Sequence, residues 1–411
     1  MKSKEPFKIL TSDILITDKI ISFADNPQHT QALESLVKEF NINPDDKEPL
    51  TLEQFGRFKA RLDAMEGLNI SSEPGGSSAN TVVTANKLLG PNRVASTFLG
   101  VVGHTKDDKI IRKSLSDAGV HLEEAKAASG DESKSATSYV IVFPNRKRSI
   151  VTYPGNAKEI LDKSIIAKEL VAKHDALLVQ GGLWEKFNWD FADELLKQRW
   201  QQNKELYLCL PTKAKFGELQ HEHFERLIPS ANVVLSNDDE LAITYHTMTA
   251  DEKKIWTKQE EKGATEKIRE EASIKLEHAR REARHKLQDT FANHSALNEN
   301  PNIDQRQIAY VTRGGRGISI ITKDSIQDVP ASKIDKMVNN LGAGDTCFAG
   351  ILAGHIQGLH KRQCAEMGNY LAAAKMGKNG ARLDDPRAAL EEIAPHAAAK
   401  LFADEQVRQI L

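Results

Sequence analysis

An α/β fold built on a mostly parallel sheet covered by helices is what the sequence predicts, on three observations. Short apolar runs alternate with helical segments through most of the chain, and parallel strands need this because each must be followed by a crossover. Four of these runs, at residues 176–179, 206–210, 233–235 and 308–312, are apolar enough to be strands buried on both faces. Residues 136–143 and 148–153 are different: rich in β-branched and aromatic side chains and joined by Pro144-Asn145, they predict a hairpin outside the main alternation.

Taken in order, the elements after the hairpin are the buried strands at 176–179, 206–210 and 233–235, each leading into a helix. The segment 251–291 then breaks the pattern. It is densely charged and lacks proline, with Glu271/Lys275, Glu277/Arg281 and Glu282/Lys286 at the spacing that pairs charges on successive helical turns. Its apolar positions, Ile268, Ala272, Leu276, Ala279, Ala283, Leu287 and Phe291, form a narrow stripe of mostly small side chains. The expectation is a solvated helical insertion over about 251–295 resting lightly on the core, with a coiled-coil or subunit contact, hence a homodimer, as the alternative. Residues 294–304 read as loop, and 308–312 as the next buried strand.

Composition narrows the function. The 411 residues carry 56 Lys and Arg against 58 Asp and Glu, a formal charge of −2, which lacks the basic excess of a protein that neutralises nucleic-acid phosphates. No run approaches the roughly 18 apolar residues of a membrane helix, and the first residues lack the apolar core of a signal peptide. Cys209, Cys347 and Cys364 are too scattered for a disulfide framework or a Cys-x-x-Cys metal site. His221-Glu222-His223 lacks the His-Glu-x-x-His spacing of a zinc site. The expectation is a cytoplasmic protein that acts on a small molecule, with no nucleic-acid or membrane partner.

The chemistry concentrates at residues 339–350, Asn-Asn-Leu-Gly-Ala-Gly-Asp-Thr-Cys-Phe-Ala-Gly. Gly342 and Gly344 permit backbone conformations that aim several N–H groups one way, and Phe348, Ile351 and Leu352 begin a helix. A helix N-terminus preceded by glycines suits an anion, because unpaired N–H groups and the helix dipole both favour negative charge. Asp345 at that point either caps the helix or serves as a base beside a phosphoryl group. Asn237 and Glu240, three apart after a strand, likewise fit either a helix cap or a pair ordering water around a hard cation. No Gly-x-x-x-x-Gly-Lys-Ser/Thr loop and no Gly-x-Gly-x-x-Gly fingerprint is present.

Gly342-Ala343-Gly344-Asp345 resembles the second signature of the PfkB/ribokinase family of carbohydrate and nucleoside kinases, and three further motifs follow the family's order. Gly75-Gly76-Ser77-Ser78-Ala79-Asn80 resembles the paired-glycine motif that approaches the sugar. Leu235-Ser236-Asn237-Asp238-Asp239-Glu240 resembles the element that organises Mg²⁺ and the nucleotide phosphates. Thr312-Arg313-Gly314-Gly315-Arg316-Gly317 resembles the strand and turn that cradle ATP. The resemblance implies a single ribokinase-like domain over residues 1–411: a three-layer core with a small β lid formed from about 14–25 and 136–155. It implies Asp345 as catalytic base, with the N–H groups of Ala343, Gly344 and Asp345 as an anion hole opened by Gly342. It also implies sugar contacts from Gly75, Gly76 and Asn80, nucleotide contacts from Asn237, Glu240, Thr312, Gly314 and Gly317, and Mg²⁺ influenced by Asn237 and Glu240 through water.

Residues 7–21 can be laid over the family's first strand, which puts Asp18 in the role of the carboxylate that binds sugar hydroxyls, with Asp13 as the fallback. Arg148, in the predicted hairpin, resembles an arginine that reaches the phosphates in nucleoside members, and a surface position in the basic turn 146–148 is its alternative. Leu210-Pro211-Thr212-Lys213, Tyr153-Pro154-Gly155 and Asn339 resemble features of inosine-guanosine kinases, and residues 40–46 resemble adenosine kinases. The resemblance therefore implies an ATP- and Mg²⁺-dependent kinase, with K⁺ as a further candidate cofactor. Its acceptor would be the 5′-hydroxyl of a purine nucleoside: inosine or guanosine, or adenosine. The alternatives are a PfkB-type sugar kinase acting on ribose or a fructose derivative and a non-catalytic nucleoside binder on a degenerate kinase fold. Cys347 is expected to be a small buried side chain.

Overall fold

A computed structural model describes residues 5–22, 27–42, 47–65, 67–125, 134–142, 148–153, 155–161, 163–166, 168–180, 189–210, 224, 227–245, 266–297, 307–334, 336–378 and 380–410. Among them, fourteen strands form two sheets. The larger, in the order β14-β13-β12-β11-β10-β9-β1-β5-β6, contains β1 (Phe7–Ser12), β5 (Val94–Gly100), β6 (His121–Glu124), β9 (Ala176–Gln180), β10 (Glu205–Cys209), β11 (Val233–Asn237), β12 (Ile308–Thr312), β13 (Ile318–Thr322) and β14 (Ser325–Val329). From β6 to β12 every neighbouring pair is parallel, and β13 and β14 close one edge as antiparallel strands.

Alternation along these strands fills two interiors, so the core has three layers. Ile9, Leu178, Tyr207, Leu235 and Tyr310 pack with the helices Ser77–Leu89, Ala343–Ile356 and Lys361–Met376 on one face. Leu10, Leu177, Val179, Leu208, Val234 and Val311 pack with the helices Trp189–Gln201, Asp238–Thr244 and Glu266–Leu297 on the other. Each fully buried Leu, Ile or Val contributes about 1.5–3 kcal/mol, so these two faces hold the layers together. The order reverses at β1, from which the chain reaches β5 on one side and β9 on the other. In an open α/β sheet, that switch point puts the ligand crevice at the carboxyl ends of the strands.

The smaller sheet, in the order β3-β8-β7-β2-β4, contains β2 (Ile16–Ser22), β3 (Lys47–Pro49), β4 (Ile70–Gly75), β7 (Ala136–Val142) and β8 (Arg148–Tyr153). Ile21, Tyr139, Ile141 and Val151 meet Leu33, Leu36, Phe55 and Phe58 on its outer face. These come from the helices Pro27–Glu39 and Leu52–Asp63, the second fixed by a capping box between Thr51 and Gln54. The expected hairpin is β7 and β8, paired antiparallel from Thr137↔Tyr153 to Val142↔Arg148, and its turn lies outside the described residues.

Four expectations change. Residues 7–21 form two strands, because the chain leaves the large sheet after Ser12 and enters the small one at Ile16. The small sheet also takes in β3 and β4, beyond the 14–25 and 136–155 expected to form a lid. The charged segment is not lightly seated: Leu276, Ala283, Leu287 and Phe291 are buried in the core, and Tyr245 Oη bonds Thr290 Oγ1 at 3.0 Å. β11 and β12 are parallel neighbours, so the chain between them must cross over, and the Glu266–Leu297 helix supplies that crossover. The helix also runs on through 294–297, where a loop was expected; residues 251–265 lie outside the described residues. Among the described residues, no helix is long and apolar enough to cross a membrane.

Candidate active site

Gly342 caps the helix Ala343–Ile356 with φ of 71°, a left-handed conformation that favours glycine. A Cβ there would also lie 1.8 Å from the Ala381 carbonyl oxygen, so the close approach of the 380–382 loop requires Gly342. Gly344 differs: a Cβ would meet nothing within 4 Å, and the residue is exposed. The first turn therefore opens towards free space, with N–H groups that have no partner inside the helix. Ala343 N–H, one donor of the expected anion hole, donates to the Asn340 carbonyl at 3.2 Å.

Asp345 is partly exposed in that first turn. Its Oδ2 accepts a 2.8 Å hydrogen bond from Asn80 Nδ2, and its carbonyl accepts one from Thr81 Oγ1 at 3.4 Å. Asn80 and Thr81 stand on the Ser77–Leu89 helix, which follows the glycine pair. Gly75 is confined by Asp18: a Cβ at 75 would lie 2.1 Å from Asp18 Oδ2. Gly76 has φ of 95° and faces the Ile14 carbonyl, 2.7 Å from where a Cβ would be. Two motifs far apart in sequence thus meet through one side-chain hydrogen bond.

The two N-terminal aspartates separate by environment. Asp13 is buried at the carboxyl end of β1, where it accepts from Ile14 N at 2.7 Å and Ser78 Oγ at 3.2 Å, anchoring the start of the Ser77–Leu89 helix. Asp18 pairs across the sheet with Glu73 and Ser138, on the face opposite Lys19 and Tyr139. That face of the lid is polar, with Ser138 bonded to Thr152 at 2.8 Å. Arg148 opens β8, and its side chain lies outside the described residues.

Arg382, Glu73 and Lys375 escaped the reading of the sequence. Arg382 Nε donates to Asn80 Oδ1 at 2.5 Å, and its other nitrogens reach Ser114 Oγ and, at 3.4 Å, the Gly75 carbonyl. Burial lowers the guanidinium to about 10, while Asp18, Asp345 and Glu73 pull the other way. Glu73 Oε2 accepts from Ala381 N at 3.3 Å. Lys375, fully buried, donates to Asn339 Oδ1 at 3.4 Å and the Lys378 carbonyl at 3.2 Å; burial brings it down to about 8, against the opposing charge of Glu73. Asn339 Oδ1 also accepts from Leu341 N at 3.1 Å, so this ammonium supports the strand of loop that leads into Gly342. No spacing rule signals these three residues, since each meets the site only through the tertiary fold.

On the opposite flank, Asn237 ends β11 and caps the helix Asp238–Thr244. Asn237 N donates to Glu240 Oε2 at 2.9 Å, and Glu240 N to Asn237 Oδ1 at 2.8 Å, so the pair forms a reciprocal capping box. Thr312 ends β12, its hydroxyl 3.4 Å from the Ser236 carbonyl; Gly314 and Gly317 follow with φ of 58° and 92°. A Cβ at Gly314 meets nothing within 4 Å, whereas at Gly317 it would lie 2.0 Å from the Val329 carbonyl. Cys209, at the end of β10, reports the convergence of the flanks: burial pushes its thiol far up, with Asp345, Glu240 and Asp13 adding to the effect. Cys347 is buried and pushed up to about 12. A cavity of about 290 Å³ lies on the face of the small sheet that carries Lys19 and Tyr139, and Phe55 and Asp107 also line it.

The residues fit a magnesium–nucleotide complex in a particular way. Among the described residues, no group of three or more His, Cys, Asp or Glu could hold a metal ion, and Asn237 and Glu240 each spend one oxygen on the capping box. Mg²⁺ usually keeps several waters and binds through one or two carboxylates and substrate phosphates; the cap takes the only side-chain oxygen of Asn237, so the Glu240 carboxylate is the group of the pair that suits this mode, through water.

Comparison with known proteins adds four findings. The profile of the pfkB family carbohydrate kinases matches residues 51–268 and 277–388. A nucleoside kinase of Methanocaldococcus jannaschii is 32% identical over 76 residues, which is 18% of this chain and 25% of that protein; the match spans a quarter of the relative's length. The structure of an adenosine kinase from Sinorhizobium meliloti superposes with a TM-score of 0.68 at 20% identity, covering 94% of this chain and 99% of the other. That of a probable sugar kinase from Rhizobium etli gives 0.66 at 20% identity, with 95% and 99% covered.

Proposed function

Because the chain belongs to the pfkB family of carbohydrate kinases, we propose that it transfers the γ-phosphoryl group of ATP to the 5′-hydroxyl of a purine nucleoside, with inosine and guanosine foremost and adenosine next. The observation that carries this reading is the 2.8 Å bond between Asn80 and Asp345, which joins the first turn of the Ala343–Ile356 helix to the glycine-pair helix beside Asp18. Asp18 accepts hydrogen bonds from the vicinal hydroxyls of the ribose, since one carboxylate can take two donors at once. Gly75 and Gly76 let backbone approach the sugar.

The reaction is one in-line displacement. The Asp345 carboxylate takes the proton of the 5′-hydroxyl, the oxygen bonds to the γ-phosphorus, and the bond from phosphorus to the bridging oxygen breaks, its electron pair leaving with ADP. The N–H groups of Gly344 and Asp345 stabilise charge on the transferring phosphoryl oxygens. Thr312, Gly314 and Gly317 hold the ATP phosphates from the other side. Asn237 and Glu240 would order Mg²⁺ through water, and the ion would neutralise charge on the phosphates. No covalent bond to the protein forms, so positioning and charge stabilisation supply most of the rate.

A sugar kinase is the second reading, supported by the Rhizobium etli structure, whose similarity is nearly the same. ADP release measured with inosine, guanosine, adenosine, ribose and fructose 6-phosphate separates the two. A kcat/KM for a free sugar above that for every nucleoside would overturn the nucleoside assignment. The same panel with and without K⁺ tests the monovalent-cation requirement. In Asp345→Asn, loss of general base catalysis is expected to cost about 10²–10⁴ in kcat; near-normal turnover would remove Asp345 from that role.

A further inference from the structure

The Glu266–Leu297 helix is longer than its place in the sheet requires. At about 1.5 Å per residue it extends ~48 Å, whereas the five residues of β12 span ~17 Å. Its middle passes the carboxyl ends of the strands, where its ion pairs are made. Arg284, with a side chain only 9% exposed, holds Asp238 Oδ1 at 2.6 Å; Arg280 holds Asp239 at 2.6 Å. The second oxygen of Asp238 accepts from Arg316 at 3.1 Å, and Glu277 of the helix pairs with Arg316 and, at 3.4 Å, with Arg284.

The partners are specific. Asp238 and Asp239 directly follow Asn237 and lie in the same turn as Glu240. Arg316 belongs to the turn Gly314–Arg316. One buried carboxylate therefore has one oxygen on the helix and the other on the glycine turn. Burial pushes the Asp238 carboxyl up against the pull of Arg284, Arg316 and Arg280, while Arg316 and Arg284 outweigh burial to hold Glu277 below its usual range. Burying charge in this way costs several kcal/mol per ion before the pairing is counted. The apolar stripe through Phe291 already docks the helix, so the pairs act chiefly on where the two loops sit.

We propose that the Glu266–Leu297 helix is a positioning clamp for the nucleotide side of the site, in which Arg284, through Asp238 and Arg316, fixes the Asn237/Glu240 cap relative to the Gly314–Gly317 turn. This rests on the assignment of those two elements to ATP. Arg284, Asp238 and Arg316 are thus positioning residues.

The test compares the full-length wild type with Arg284→Met, Asp238→Asn and the double variant, measuring the Kd for Mg·ATP by calorimetry, the nucleoside KM and the thermal midpoint. A coupling of ordinary size for contacting residues predicts a Kd for Mg·ATP about tenfold higher in Arg284→Met, with the nucleoside KM within about twofold. The double variant regains thermal stability, because no unpaired charge is left buried, yet keeps the weakened ATP binding. Recovery of ATP affinity together with stability would show that the pair serves folding only and overturn the clamp, as would unchanged affinity in Arg284→Met. A wild type that binds no Mg·ATP overturns it together with the nucleotide assignment; one that binds Mg·ATP but phosphorylates no nucleoside overturns only the nucleoside reading.

Discussion

Replacing Arg382 by methionine removes the group that orients Asn80. In the native arrangement the Asn80 amide is read from both ends: its oxygen accepts from Arg382 Nε at 2.5 Å, and its nitrogen donates to Asp345 at 2.8 Å. A flipped amide would set its oxygen against the carboxylate and its NH₂ against the guanidinium, so the two charges select one orientation. Without Arg382 only Asp345 favours that orientation. The loss is bounded by one hydrogen bond to a charged group, about 1.5–3 kcal/mol, which corresponds to roughly tenfold to 150-fold in kcat. The assay is steady-state turnover normalised to folded protein, for Arg382→Met, Asn80→Ala and the pair. Because both act through one bond, the double variant is expected to be no slower than the slower single. Fully additive losses, or a kcat for Arg382→Met within threefold of wild type (less than ~0.7 kcal/mol), would refute the reasoning.

Two further predictions follow from the geometry. Gly344→Ala places a methyl where nothing lies within 4 Å, whereas Gly342→Ala collides with the Ala381 carbonyl at positive φ; the first is expected to keep its thermal midpoint and lose turnover, the second to lose several degrees, and the reverse order in a melting assay would disprove the open-hole geometry. Lys375, brought down to about 8 by burial, binds fewer protons folded than unfolded between about pH 8 and its ordinary value near 10.4, so this residue's contribution to stability is poorest below pH 8 and improves as pH rises through that window. The stability of wild type minus that of Lys375→Met, from urea titrations at pH 7 and 9.5, is therefore expected to grow with pH, and a constant difference would show that the ammonium is not desolvated.

The sequence signals worked where chemistry is local. The four buried strands, the hairpin partners and the glycine turns each carry their reason in a few consecutive residues, and the structure places them within a residue or two. Asn237 and Glu240 were legible as a pair three apart with a helix cap as one reading, but not as a reciprocal box that takes the only side-chain oxygen of Asn237. Arg382 was illegible because an arginine after Gly380-Ala381 has no periodicity to betray it; its partners Asn80 and Ser114 are distant in sequence. The charged helix misled for a different reason. Its apolar stripe, with alanine at 272, 279 and 283, looked too narrow for a core element, and helical spacing shows Arg280 and Arg284 on one face without showing that Asp238 and Asp239 face them. The signal that could have corrected this was topological: parallel strands at 233–235 and 308–312, if adjacent, demand a crossover packed on the sheet.

The contacts around residues 380–382 give the site its mechanical logic. Gly380 lies against Glu73 of the lid, with a Cβ position 2.5 Å from Oε2; Ala381 closes on Gly342 and bonds Glu73; Arg382 bonds Asn80 and the Gly75 carbonyl. Three consecutive residues thus touch the lid sheet, the helix N-terminus and the glycine-pair helix. A displacement of β4 would reach Asp345 through Arg382 and Asn80 without passing through the main sheet. The same guanidinium is drawn by Asp18, Glu73 and Asp345 together, so the carboxylate assigned to the sugar and the one assigned to the proton share a cation. That cation is a side chain that no motif of the sequence contains.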